Sequence, residues 1–185
     1  MNLPNKLTML RIILIPVFMV GLYWGFPGAT WVALAIFIIA SLTDMLDGKI
    51  ARKYNLVTDF GKFMDPIADK LLVMSAFVML VEQQRMPGWV CILMLAREFI
   101  VSGFRLVASG KGKVIAAGIW GKLKTITQMI YVPMALLLIP IKALDPAVHP
   151  IWQVLTDIMM YISLALTLWS GFCYIWNNRE YIKDM

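Results

Sequence analysis

Histidine and cysteine are nearly missing from this chain, with one His and two Cys among 185 residues. No Cys/His spacing of the kind that binds zinc exists. The lone His149 sits in a polar connection and is not expected to carry catalysis. Cys91 and Cys173 both lie in apolar runs and read as small buried hydrophobes. The helix map below puts them at opposite ends of a bilayer, which excludes a disulfide on distance. Charge is scarce as well. Only 15% of residues are charged, 61% are hydrophobic, and mean hydropathy is +0.76. Soluble domains are roughly 45–50% apolar, so this is a membrane protein. There is no soluble domain, no linker and no internal repeat. The net charge of +6 matters through its distribution, and no nucleic-acid partner is expected. The first apolar run, behind Lys6 and Arg11, lacks a convincing cleavage site and reads as a membrane helix, not a signal peptide.

What is present is a series of six apolar runs near the ~20 residues that span a bilayer. They cover about Thr8–Trp24, Thr30–Tyr54, Lys62–Val81, Gly88–Ala108, Ala117–Ile139 and Ile151–Trp176. Gly25-Phe26-Pro27-Gly28 closes the first run and Pro140 closes the fifth. Pro16 and Pro133 fall inside helices, where they are expected to kink them. Met1–Leu7 reads as a short interfacial segment. The predicted fold is an all-α integral membrane protein of six transmembrane helices in one domain, residues 1–185. Lys and Arg placement sets the orientation. Of the 17 Lys and Arg, only Arg85 and Lys142 fall on one side. Both termini and the second-to-third and fourth-to-fifth connections are therefore expected on the cytoplasmic side. With no transit peptide, the expected location is a bacterial cytoplasmic membrane.

The chemistry concentrates between Asp44 and Asp69. Asp44 and Asp47 are three apart, and Asp65 and Asp69 are four apart, so each pair shares one helix face. Gly48 and Ala51 lie on the first face and Gly61 one turn before Asp65, which leaves these surfaces almost free of bulk. Two antiparallel helices would present four carboxylates to a shared space. Asp44 is expected ~14 Å of helix from the cytoplasmic end of its run. A recessed carboxylate costs roughly 2.5–3.5 kcal/mol on insertion scales. Four must be protonated, paired with Lys49, Arg52, Lys62 or Lys70, or bound to metal. Oxygen ligands alone suit Mg²⁺ or Mn²⁺. Four carboxylates can hold two such ions, an arrangement suited to phosphoryl transfer. Asp59 falls outside this pattern and reads as part of a solvated loop.

The pattern D-x2-D-G-x2-A-R-x8-G-x3-D-x3-D resembles the signature of the CDP-alcohol phosphotransferase family at every defined position. That resemblance, which extends to the six-helix layout, implies transfer of a phosphatidyl group from a CDP-linked lipid to an alcohol with release of CMP. It implies Asp44, Asp47, Asp65 and Asp69 as ligands of two divalent cations, with Asp69 also the general base. It implies that cytidine packs on Gly48, Ala51 and Gly61, with Arg52 near the diphosphate. Asn5, Thr8 and Arg11, in P-N-K-L-T-M-L-R, are similar to the family's N-terminal segment beside the nucleotide. Arg11 also reads as a plain positive-inside anchor. The resemblance further implies a homodimer.

The acceptor is addressed by the fourth and fifth runs. Arg97 and Glu98 lie deep in an apolar stretch, and Glu98, Ser102 and Arg105 share a face. Gly121, Thr125 and Gln128 form a polar stripe, with Lys122 and Lys124 at its cytoplasmic end. Such cations suit a phosphate dianion. An Arg97–Glu98 ion pair is the plainer alternative. The segments R-E-F-x-V-x-G-x-R-L-V and G-K-x-K-T resemble family members whose acceptor is sn-glycerol 3-phosphate, with CDP-diacylglycerol as donor. Rival readings are the same chemistry on phosphatidylglycerol, inositol phosphate or serine, a divalent cation transporter, and a scaffold without chemistry.

Overall fold

The computed structural model describes residues 2–53, 58–110 and 118–179, and omits the side chains of residues 3, 4, 45–53, 59, 60, 62, 63 and 66. Six helices follow one another: α1 (Leu3–Trp24), α2 (Ala29–Lys53), α3 (Asp59–Glu82), α4 (Gly88–Gly110), α5 (Ile119–Leu144) and α6 (His149–Asn177). No strand occurs among the described residues. The predicted ends of the second run at Tyr54 and start of the fifth at Ala117 lie outside them.

The helix ends follow local chemistry. α1 stops at Gly25, whose φ of 61° is open to glycine at no steric cost. Thr58 caps α3 by accepting a hydrogen bond from the Gly61 N–H at 3.1 Å. Asp59, predicted in a loop, is instead the first residue of α3 because that cap starts the helix three positions before the expected Lys62. α3 ends in a Schellman pattern, with Arg85 N bonded to Leu80 O at 2.8 Å and Gln84 N to Val81 O at 2.9 Å. Gln84 takes the left-handed position there, with φ of 57°.

Two elements differ from the sequence expectation. The segment expected before Thr8 is not separate, since α1 runs unbroken from Leu3 with Pro4 in its first turn, where a missing N–H costs nothing. The fifth helix does not stop at Pro140 but continues to Leu144. Pro140 has no N–H to give the Leu136 carbonyl. Arg85, from the α3–α4 turn, supplies donors instead: its Nη1 lies 2.9 Å from Ala135 O and 3.4 Å from Leu136 O. Burial pulls this guanidinium below its ordinary pKa, opposed by nearby Tyr131.

α1 packs on α2 and α3, α5 on α6, α2 and α3, and α4 on α6 and α3. Phe18, Phe37, Leu72, Phe77, Leu80, Met94, Tyr131 and Leu136 fill the centre. Outward-facing Ile13, Ile92, Phe99, Leu106, Ile126, Ile158 and Phe172 are all exposed. In water this would be an untenable apolar surface; against lipid it is the required one. α1, α5 and α6 are long and apolar enough to cross a membrane as they stand, and α2 is apolar over Ala29–Asp44. The remaining two of the six expected spans, α3 and α4, each carry several charged residues of the site, among them Asp65 and Asp69 on α3 and Arg97, Glu98 and Arg105 on α4. With lipid outside, the helices are held by close packing and not by a solvent-driven effect.

Candidate active site

The acidic motif is organised by α1. Asn5, Thr8 and Arg11 recur every three residues and form one buried polar stripe. Arg11 Nη1 lies 2.7 Å from Asp44 Oδ1 on α2. Thr8 Oγ1 donates to Asp65 Oδ1 on α3 at 2.6 Å. Thr58 Oγ1 donates to Asn5 Oδ1 at 3.0 Å. The two carboxylate-bearing helices are thus joined through a third. Gly61 lies under this junction: a Cβ there would stand 3.1 Å from Asn5 Oδ1 and 3.3 Å from Thr58 Oγ1. Its smallness admits α1.

The donor chemistry of Asp44 and Asp65, all carboxylate oxygen, fits a hard divalent cation. Among the described residues no three His, Cys, Asp or Glu side chains form a metal-holding group. Asp47, Gly48, Ala51 and Arg52 are placed on α2 by the backbone, but their side chains, and those of Lys49 and Lys62, lie outside the description. Lys70, a possible partner of the aspartates, instead donates to Ser102 of α4.

Asp69 links this junction to a second region. It is within electrostatic reach of Arg11, Lys124, Lys70 and Glu98. It also lines a cavity of about 370 Å³ together with Arg97, Glu98, Arg105, Lys122 and Lys124. All four predicted acceptor-binding cations therefore share one space with the predicted base. Glu98 draws in two of them, Arg97 at 3.3 Å and Lys124 in a closer contact. The ion pair anticipated as the plainer alternative is present, within the cavity wall. Lys122 has no ion pair among the described residues. Of the polar stripe on α5, Gln128 is buried and bonds Thr167 of α6 at 3.3 Å, so it joins helices.

Sequence reasoning misses the contribution of α6. A Cβ on Gly171 would lie 2.9 Å from Arg97 Cγ, closer than real contacts allow. An isolated glycine within an apolar helix is the available signal, since it usually has a packing reason. The Arg105 guanidinium stands 5.3 Å from the centre of the Tyr174 ring, a cation–π arrangement. It also misses the Arg11–Asp44 pair: Arg11 is 1% exposed and is not a surface anchor.

Residues 1–169 match the family model described as CDP-alcohol phosphatidyltransferase. The chain is similar, at 43% identity, to a CDP-diacylglycerol–glycerol-3-phosphate 3-phosphatidyltransferase of Bacillus subtilis (strain 168), over 98% of this chain and 97% of that one. A protein of the same description from Haemophilus influenzae is 36% identical over 94% and 91%. A probable phosphatidylglycerophosphate synthase of Mycobacterium tuberculosis (strain H37Rv) is 39% identical over 94% and 80%.

Proposed function

The chain belongs to the CDP-alcohol phosphatidyltransferase family, and from that premise we propose that it transfers the phosphatidyl group of CDP-diacylglycerol to sn-glycerol 3-phosphate, giving phosphatidylglycerophosphate and CMP. The observation that carries the acceptor assignment is the single cavity joining Asp69 to Arg97, Arg105, Lys122 and Lys124. A carboxylate able to accept a proton and a set of cations able to hold a phosphate dianion face the same small volume. The names of the relatives point to the same acceptor.

The residues divide the work. Arg105 and Lys122, with Arg97 and Lys124 held by Glu98, bind the phosphate of glycerol 3-phosphate and leave its primary hydroxyl toward Asp69. Asp69 takes the hydroxyl proton as that oxygen attacks the β-phosphorus of the donor lipid. The bond from the β-phosphorus to the bridging oxygen breaks, and its electron pair leaves with CMP. Asp44, Asp47, Asp65 and Asp69 would hold two Mg²⁺ or Mn²⁺ ions, whose charge offsets that of the donor diphosphate. Thr8 and Arg11 set the positions of Asp65 and Asp44. The Lys and Arg asymmetry supports a site and termini on the cytoplasmic face of a bacterial membrane, where the donor lipid would enter sideways.

Purified protein given Mg²⁺ or Mn²⁺, CDP-diacylglycerol and glycerol 3-phosphate is expected to release CMP, and chelation to stop it. Folded protein that releases no more CMP than the chelated control overturns the assignment. Phosphatidylglycerol, inositol phosphate and serine, offered in place of glycerol 3-phosphate, are expected to give little CMP.

A further inference from the structure

The end of the bundle far from Asp69 carries a second polar centre with no part in this reaction. It is formed by the α3–α4 turn, the end of α5 and the start of α6. From Asp69 it is reached after ~20 Å of α3. Two cavities lie there, of about 490 and 240 Å³, and Gln84, Arg85 and Asp157 line both. Lys142 and His149 belong to the smaller one.

Arg85 and Asp157 are opposite charges on the same cavities, yet they form no ion pair among the described residues. Arg85 is held from two sides. Its Nη1 donates to the α5 carbonyls, and its own carbonyl accepts from Tyr131 Oη at 3.2 Å. Its Nη2 is buried without a hydrogen-bond partner. A buried donor left unmade is costly. Asp157 is half-buried on an apolar helix with no hydrogen-bond or ion-pair partner among the described residues, where a carboxylate calls for a cation. Gln84, before Arg85, is the single non-glycine residue with positive φ among the described residues.

The depth of this centre narrows what fills it. Trp24 ends α1, Trp31 opens α2, Trp89 opens α4 and Trp152 opens α6, so indoles ring this end of the bundle. Trp89 and Tyr161, which lines the larger cavity, are 6.5 Å apart between ring centres. Such a belt marks the level of lipid headgroups. A ligand at that level must offer an acceptor to Arg85 and a cation to Asp157 at once. A plain anion meets repulsion from Asp157, and a plain cation meets Arg85 and Lys142.

We propose that these cavities bind the headgroup of a phospholipid carrying a primary ammonium, with its phosphate on Arg85 and Lys142 and its ammonium on Asp157. The acyl chains then run along the outside of the bundle past Val81, Leu138 and Ile139. Because Asp157 accepts hydrogen bonds, a primary ammonium is favoured over a quaternary one, which has no N–H to give.

Native mass spectrometry tests this on the full-length protein with equal amounts of phosphatidylethanolamine, phosphatidylcholine and phosphatidylglycerol. The wild type is expected to retain phosphatidylethanolamine at least threefold over the other two. Asp157→Asn, of the same shape, is expected to lose that preference, and Asp157→Ser provides a second variant should Asn fold poorly. CMP release by both variants in detergent is expected to match wild type, since Asp157 lies outside the catalytic site. Equal retention of the three lipids, or an undiminished preference in the folded variants, overturns the proposal.

Discussion

Arg11 Nη1 and Asp44 Oδ1, from α1 and α2, meet at 2.7 Å, with the arginine side chain wholly enclosed and the carboxylate about one-third exposed. Removing the cation strands a carboxylate in the acidic site. Arg11→Met is expected to destabilise the protein by about 1–3 kcal/mol, less than a fully buried pair because water reaches Asp44. Thermal unfolding in detergent measures this. Arg11→Met with Asp44→Asn should unfold at a higher temperature than Arg11→Met alone. Additive losses would show that the two residues do not act as a pair.

Gly171 and Arg97 give a test of the acceptor pocket. A methyl group at 171 must push Arg97 aside, because the atom it meets is Cγ at the base of the side chain. Gly171→Ala is expected to raise KM for glycerol 3-phosphate about tenfold or more, a loss of ~1.4 kcal/mol in binding. KM for CDP-diacylglycerol should change little. Equal changes in both would remove Arg97 from the acceptor side.

Asp69→Asn keeps the shape of the side chain and removes its basicity. CMP release is expected to fall at least a hundredfold, in line with the usual worth of a general base, while the unfolding temperature stays near that of wild type. Near-normal turnover would reject Asp69 as the base.

Arg85 and Pro140 form a pair that repairs a helix. Arg85→Leu leaves the carbonyls of Ala135 and Leu136 without the guanidinium, at an expected cost of about 1–3 kcal/mol. Pro140→Ala restores an N–H to Leu136 and is expected to recover part of the loss in the Arg85→Leu background. Circular dichroism on heating reads both. No recovery would mean that Arg85 acts elsewhere.

The six helices and the Gly25 turn are legible in the sequence because run length and glycine placement are local properties. The spacing of Asp44, Asp47, Asp65 and Asp69 is legible for the same reason. The extension of α5 past Pro140 is not, since the donor that permits it lies in the turn after α3. The role of Arg11 is hidden for a like reason, its partner Asp44 being on another helix. Gly171 and Tyr174 acquire meaning once α6 packs against α4, a contact that hydropathy does not encode. The cavity uniting Asp69 with Arg97, Arg105, Lys122 and Lys124 is half legible: residue types and faces announce the cations, but the sharing of Glu98 between Arg97 and Lys124 is a product of packing.

That sharing has a consequence for traffic through the enzyme. An anion that reaches Arg97 or Lys124 competes with Glu98, which already holds both. The carboxylate acts as a resident competitor, and it returns to the same nitrogens when the anion goes. Under the proposed assignment, Glu98 closes again on Arg97 and Lys124 each time a product leaves, so the pocket is reset without any outside counter-ion.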